Sequence, residues 1–170
     1  KSSNAGTNSE GMTQSEYRTQ MILWSMWSSP LTLCFDITTL YDGRSRLNEK
    51  LYNPYYALDL QLITNPEIIA LDQDPLGQAA ETVVFDEENL MLMKDLANGD
   101  VAISATNLRD EAREVEVRLK DFGALRHDVR YKSVDLLTGD EETGVSAGKD
   151  TYVVILPAHG SIVWRFSEQK

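Results

Sequence analysis

The sequence has little of several residue types, and each shortage excludes a class of protein. Its 170 residues contain one cysteine, Cys34, and only two histidines. A single cysteine cannot form a disulfide within the chain, and the usual Cys/His zinc site needs more ligands of this kind. No glycine-rich phosphate loop is present either. We therefore expect no bound metal and no cofactor.

Basic residues are also scarce. Sixteen Lys and Arg stand against twenty-seven Asp and Glu, which gives a net charge of −11. This balance argues against nucleic acid and anionic membrane surfaces as partners, because both attract basic proteins. No apolar run reaches the length of a transmembrane helix. The sequence leaves the cellular compartment open.

The first part of the chain is expected to be helical, with one strand. Residues 1–11 are small and polar and indicate a loop or tail. Thr13 and Glu16 form a capping-box pattern at the start of a helix that ends near Ser28. The run PLTLCFDI, residues 30–37, is short and apolar, which favours a buried strand with Cys34 in the core.

Two Asn-Pro pairs then predict further helix starts. Asn53-Pro54 begins a helix that reaches about Ile63, and Asn65-Pro66 begins a shorter one that reaches about Leu71. Residues 38–53 are polar and predicted to be irregular. A single buried strand needs hydrogen-bonding partners on both sides. The pattern alone therefore indicates that residues 12–75 are a piece of a larger fold.

From about residue 81 the apolar residues alternate with period two. Asn98-Gly99 is a hairpin signal, and LTGDEETG is predicted to be a turn. Seven short strands separated by turns indicate an antiparallel sandwich. The predicted strands are Thr82–Asp86, Leu90–Asp95, Val101–Asn107, Arg113–Leu119, Arg130–Leu137, Thr151–Leu156 and Ser161–Ser167.

Four stretches occur together in an order that resembles a known family. They are EGMTQSEYRTQMILWSMWSSPLTL, LITNPEIIALDQDPLG, RYKSVDLLTGDEETG and LPAHGSIVWRF. They resemble the C-terminal portion of family 27 glycoside hydrolases, the α-galactosidases and α-N-acetylgalactosaminidases. The likeness runs from about Gly6 to Phe166, and NPEIIALDQDPLG is its most specific motif.

The resemblance implies an α+β, mainly β fold class: an antiparallel β-sandwich preceded by the last helix–strand–helix piece of a (β/α)8 barrel. Residues 1–77 would be the remnant of the barrel domain, and residues 78–170 the sandwich. Family members are retaining hydrolases, which use two carboxylates about 5 Å apart. In the family both are aspartates on the fourth and sixth barrel strands, which have no counterpart here. We therefore predict no catalytic residue in this chain and no activity when it is alone.

Asp36 is the one acidic residue that the resemblance implies at the barrel's active-site face. It matches the family's aspartate near the end of the eighth strand, and could line the sugar pocket. The alternative is a carboxylate that hydrogen-bonds a nearby loop. His159 is expected to be a structural turn residue and His127 to be exposed. The acidic triplets 86–88 and 140–142 are more typical of charged turns than of a calcium site.

Three functions remain open. The first is the C-terminal part of an α-galactosidase-like enzyme, whose partner would be the missing N-terminal barrel portion and whose substrate would be a terminal α-galactoside. The second is a non-catalytic carbohydrate-binding module, which would need exposed aromatic side chains. The third is a structural or assembly role, in which the exposed barrel remnant drives self-association.

Overall fold

The computed structural model describes residues 12–169. The predicted loop or tail over residues 1–11 lies outside this range. The described residues form four α-helices, which all precede residue 73: α1 (Gln14–Met26), α2 (Thr39–Asp42), α3 (Tyr56–Ile63) and α4 (Pro66–Asp72). None of these helices has the length and hydropathy needed to cross a membrane.

Local sequence signals explain two of the four helix starts, those of α1 and α4. The Thr13 hydroxyl accepts a hydrogen bond from the Glu16 N–H at 3.2 Å, and the Glu16 carboxylate accepts one from the Thr13 N–H at 2.6 Å. This confirms the capping box. Asn65 caps α4 as predicted. Asn53 does not cap α3, because its side chain accepts from the N–H of Tyr55, and α3 begins one residue later.

Eight strands follow, and they build two antiparallel sheets. The larger sheet has the order β1-β2-β3-β8-β5-β6, and the smaller one pairs β4 with β7. The strand bounds are β1 (Glu81–Phe85), β2 (Asn89–Asp95), β3 (Val101–Asn107), β4 (Arg113–Arg118), β5 (Tyr131–Asp135), β6 (Glu141–Val145), β7 (Thr151–Leu156) and β8 (Ser161–Glu168). The mainly β fold with an antiparallel sandwich is therefore confirmed, and the seven predicted strands are all present.

The prediction of a turn at LTGDEETG is wrong in part, since β6 begins at Glu141. This strand lies at the edge of the larger sheet and pairs only with β5. Four of its five residues are exposed, and two of them are glutamates. Charged edge strands of this kind resist pairing with other molecules, and their composition imitates a turn.

The prediction of a buried strand over residues 30–37 is also wrong for this structure. The segment forms no strand. Leu33 is 50% exposed and Ile37 60% exposed, and Cys34 is exposed rather than a core residue. The apolar run met the strand criteria, but every strand between residues 12 and 169 pairs within one of the two antiparallel sheets. None of them pairs with this segment.

The larger sheet has a core on each face. On one face it packs against β4 and β7 around Val117, Leu119, Phe122 and Phe166, all fully buried. Trp164 also lies in this core. The other face packs against α1 and α4, around the fully buried set Ile22, Met26, Ile68, Leu92, Ala102 and Val163. The molecule therefore has three layers, with the larger sheet in the middle.

Polar contacts join the helical layer to the sheet as well. The Thr19 hydroxyl on α1 donates to the carbonyl of His159 at 2.6 Å and lies 2.9 Å from the Ser161 hydroxyl. The Ser161 hydroxyl lies 2.7 Å from that of Thr106 on β3. The N–H of Ala80, just before β1, donates to the carbonyl of Met26 at 2.8 Å. The division into domains at residues 77 and 78 stays a prediction. Helices α1 and α4 share the second of these two cores with the larger sheet.

Candidate functional site

Asp36 lies at the start of a polar loop that ends near Asn53. One carboxylate oxygen accepts from the Thr38 N–H at 3.0 Å and from the Thr38 hydroxyl at 2.7 Å. The other oxygen accepts from the Ser45 hydroxyl. These donors, Ser45 first and then Thr38, lower the pKa of Asp36 to about 2. Asp36 is therefore ionised at neutral pH and holds the two ends of the loop's first turn together.

The same loop is closed by a glycine at its centre. Gly43 has φ of +81° and ends the short helix α2 in a left-handed conformation. A Cβ at this position would lie 2.6 Å from the carbonyl oxygen of Asn53 and 2.6 Å from the ring of Tyr52. The Gly43 carbonyl also accepts from the Asn53 N–H. The loop is thus a compact structure in which only glycine can occupy position 43 without strain.

A second acidic residue, Asp59, was not identified from the sequence. It is only 5% exposed, and its oxygens accept from Gln14 on α1 at 3.1 Å and from Asn53 at 2.8 Å. It therefore connects α1, the polar loop and α3. The available signal was an aspartate between Leu58 and Leu60 in an apolar helix, where a charge is kept only if it has partners.

An apolar groove lies beside these two aspartates. It has a volume of about 270 Å³ and runs between α1, the segment 30–37 and α3. Phe35 lines it, whereas the neighbouring Asp36 turns towards Thr38 and Ser45. The Tyr17 hydroxyl, on the α1 side, is buried and has no hydrogen-bond partner among residues 12–169. The other main lining side chains are Met21, Trp24, Leu33, Cys34, Leu62 and Ile63.

A larger and more open groove, of about 660 Å³, lies on the sandwich between β5, β6 and β7. Its rim is acidic, and Tyr152 and Trp164 form its floor. The two rings pack edge to face with centroids 5.2 Å apart, and the Tyr152 hydroxyl lies 2.6 Å from that of Ser133. Burial raises the pKa of Tyr152 to about 12. Trp164 is only 6% exposed, and Tyr152 also stacks on Phe166, so Trp164 offers no exposed flat face to a sugar ring.

The remaining sequence candidates have structural partners or lie on the surface. His159 adopts φ of +51° in its turn, and its Nε2 lies 2.9 Å from a carboxylate oxygen of Asp110. His127 is exposed, as predicted. The Asp86 carboxylate accepts from the N–H groups of Glu88 and Asn89 and so closes a turn. No cluster of three or more potential metal ligands occurs within residues 12–169.

Comparison with known proteins shows which kind of domain residues 87–166 form. Residues 87–166 match the family described as alpha galactosidase C-terminal beta sandwich domain. The structure of α-galactosidase I from Mortierella vinacea has the same fold, with a TM-score of 0.73 and 21% identity over 96% of this chain and 38% of that one. This chain therefore carries the β-sandwich that is found at the C-terminus of α-galactosidases.

Relatives by sequence extend the match into the helical part. "Probable alpha-galactosidase A" of Aspergillus flavus is 30% identical over 155 residues, which is 91% of this chain and 25% of the relative. The alpha-galactosidase A of Aspergillus niger is 27% identical over 92% of this chain and 25% of its own length. The chain thus spans about a quarter of these relatives. It corresponds to the C-terminal portion of a family 27 α-galactosidase-like protein, as the four motifs predicted.

Proposed function

We propose that this chain is the C-terminal part of a retaining hydrolase that removes terminal α-linked galactose. The main support for this proposal is the sequence match to α-galactosidases, which covers nine tenths of the chain and includes the helical layer. One structural neighbour, from Geobacillus stearothermophilus, is a β-L-arabinopyranosidase of the same family and is 23% identical. The sugar is therefore the part of the proposal that most needs a direct test.

We further propose that these residues alone do not hydrolyse glycosides. The family's mechanism needs two carboxylates about 5 Å apart, one as nucleophile and one as acid/base. The resemblance assigns both to strands of a barrel, and every strand between residues 12 and 169 belongs to an antiparallel sheet. In this proposal the present residues support the catalytic domain and contribute no catalytic group.

The proposed partner is the remaining barrel portion, docked on the helical layer. Ten of the thirteen large apolar side chains that are exposed among the described residues lie before residue 77. They include Leu33, Ile37, Tyr41 and Leu47, the last two more than 80% exposed. Surfaces with so many exposed apolar side chains are typical of interaction sites. Self-association through the same surface is the alternative outcome.

Hydrolysis of p-nitrophenyl α-galactoside tests the proposal, with the β-L-arabinopyranoside as a parallel substrate. The purified 170-residue chain, with its intact mass confirmed, is expected to release no nitrophenol. Co-expression with a segment that supplies the preceding barrel strands is expected to restore hydrolysis. Turnover by the chain alone would refute the assignment of the catalytic groups elsewhere. Failure of every complementing segment would count against the α-galactosidase role.

We also propose that Asp36 lines the substrate pocket of the complete enzyme, and this placement rests on the family resemblance. In the complemented enzyme, Asp36→Asn is expected to raise KM for the galactoside while the hydrogen bonds to Thr38 and Ser45 are largely kept. Asp42→Asn is a matched control, because Asp42 pairs with Arg46 at the surface of the same loop. Equal kinetics for Asp36→Asn and wild type would leave Asp36 with the loop role alone.

A further inference from the structure

A buried lysine lies where the helical layer meets the sheet. Lys94 on β2 is only 1% exposed, and Leu92 and Leu90 on the same strand face an apolar core. Its ammonium donates to the carbonyl of Ser25 at 3.0 Å, to the carbonyl of Leu71 at 2.7 Å and to the Ser28 hydroxyl at 2.8 Å. All three donor positions are thus occupied, which a buried ammonium requires.

The first two acceptors identify what Lys94 holds. Ser25 is in the last turn of α1, and Leu71 is in the last turn of α4. The last carbonyls of a helix lack intrahelical partners and carry partial negative charge. Neither helix has a basic residue of its own in its last turn. A single cation from the sheet therefore caps the C-terminal ends of two helices.

The other end of α4 is held from the same sheet. Glu67, in the first turn of α4, forms a salt bridge with Arg165 on β8, and Asp100 lies 3.7 Å from the same guanidinium. Cross-strand register places Lys94, Ala102 and Arg165 in one row across β2, β3 and β8. Two strand spacings, about 9.6 Å, match the length of a seven-residue helix, about 10.5 Å.

Ala102 lies in this row between the two cations. It is fully buried and belongs to the core that α1 and α4 share with the larger sheet. Asn65 completes the arrangement, because its side-chain amide donates to the carbonyl of Leu136 just after β5. Helix α4 thus crosses the strands from β5 and β8 at its start to β2 at its end.

We propose that Lys94 and Arg165 form a two-point clamp that fixes α4, and through Lys94 also α1, in one orientation across the sheet. The clamp keeps the helical layer and the sandwich in one body, whichever larger protein the chain belongs to. Apolar contacts alone would hold the layers together, but they are not directional. The two cations bind opposite ends of one helix and so specify its direction.

Burial supports a specific rather than a simply stabilising role for Lys94. Removal from water lowers the pKa of the Lys94 ammonium, and the nearby carboxylates of Asp74 and Asp72 act in the opposite direction. Burying a charged ammonium costs free energy, because the charge loses its hydration. The three hydrogen bonds of the Lys94 ammonium offset this cost and hold the ends of α1 and α4 together.

Amide hydrogen exchange of the 170-residue chain tests the clamp at one pH. Lys94→Met keeps the length of the side chain but removes the donors. We expect the amides of α1 and α4 to exchange at least about tenfold faster, while those of β3 and β8 keep their protection. Glu67→Gln is the second variant, at the exposed end of the clamp, and is expected to release the first turn of α4.

Lys132→Met is the matched control. Lys132 lies on β5 of the same sheet and its ammonium pairs with Glu141 on β6, so its loss should leave α1 and α4 at wild-type rates. Unchanged helix exchange in Lys94→Met would overturn the proposal, as would an equal rise throughout β3 and β8. If Lys94→Met fails to fold, Glu67→Gln decides: wild-type exchange in its α4 amides would equally refute the clamp.

Discussion

Truncation of Ile22 tests whether the helices and the sandwich form one cooperative unit. Ile22 is fully buried where α1 packs on the larger sheet, and Ile22→Ala removes three carbon atoms. At about 0.8 kcal/mol for each buried carbon, the lost transfer free energy is about 2.4 kcal/mol. The cavity left behind adds to this, so we expect the free energy of unfolding to fall by about 2–5 kcal/mol.

Urea unfolding followed by two probes measures this effect. Circular dichroism at 222 nm reports mainly on the helices, and fluorescence reports on Trp164 once Trp24 on α1 and Trp27 at its C-terminal cap are replaced by Phe. Because Ile22 touches the sheet, both probes should shift by the same amount in one transition.

Ile69→Ala is the control, since Ile69 on α4 is 36% exposed, and we expect a loss below about 1 kcal/mol. A loss below about 1 kcal/mol for Ile22→Ala, or a shift seen by circular dichroism alone, would refute the shared core. The second result would mean that the helical layer unfolds separately from the sandwich.

Three further predictions concern the loop and the buried lysine. Gly43→Ala should cost more free energy of unfolding than Gly99→Ala, because both glycines have positive φ but only position 43 is crowded, by the carbonyl of Asn53; thermal melts compare them. Because the pKa of Asp36 is lowered, the ionised carboxylate stabilises the folded state fully above about pH 4, and this stabilisation is lost as the pH falls towards 2. An NMR titration of the loop should show this transition in the wild type and not in Asp36→Asn. Because the pKa of Lys94 is lowered in the folded state, the unfolded state binds more protons than the folded state just below pH 10.5. The free energy of unfolding should therefore rise with pH in this range in the wild type, and should change less with pH in Lys94→Met.

Seven of the eight strands were predictable because each has a local sequence pattern, whereas β6 was predicted as a turn. On β4 the buried Val115 and Val117 alternate with exposed Glu114 and Glu116, which is the pattern of a sheet with one face in water. All seven residues of β3 are buried instead. This continuous burial is the mark of a strand covered on both faces, and it signals the helical layer that alternation alone does not reveal.

The parts that sequence reasoning missed depend on distant partners. Lys94 contacts residues 69 and 23 positions away, and Asp59 contacts Gln14 45 positions away, so no local pattern identifies these partners. The segment 30–37 has strand-like composition, but hydrogen-bonding neighbours decide whether a strand forms. Asp36 was found by resemblance, and its turn with Thr38 is a local motif that the sequence could have indicated.

The contact between Thr19 and Ser161 has a consequence for how the chain is made. The two hydroxyls lie 2.9 Å apart, yet 142 positions separate them in the sequence. Ribosomes add about 5–20 residues each second, so α1 waits roughly 7–28 s before β8 emerges. During that interval Ile22 and Met26 have no completed sheet to cover them. We therefore expect the apolar face of α1 to need other protection until β8 has been synthesised.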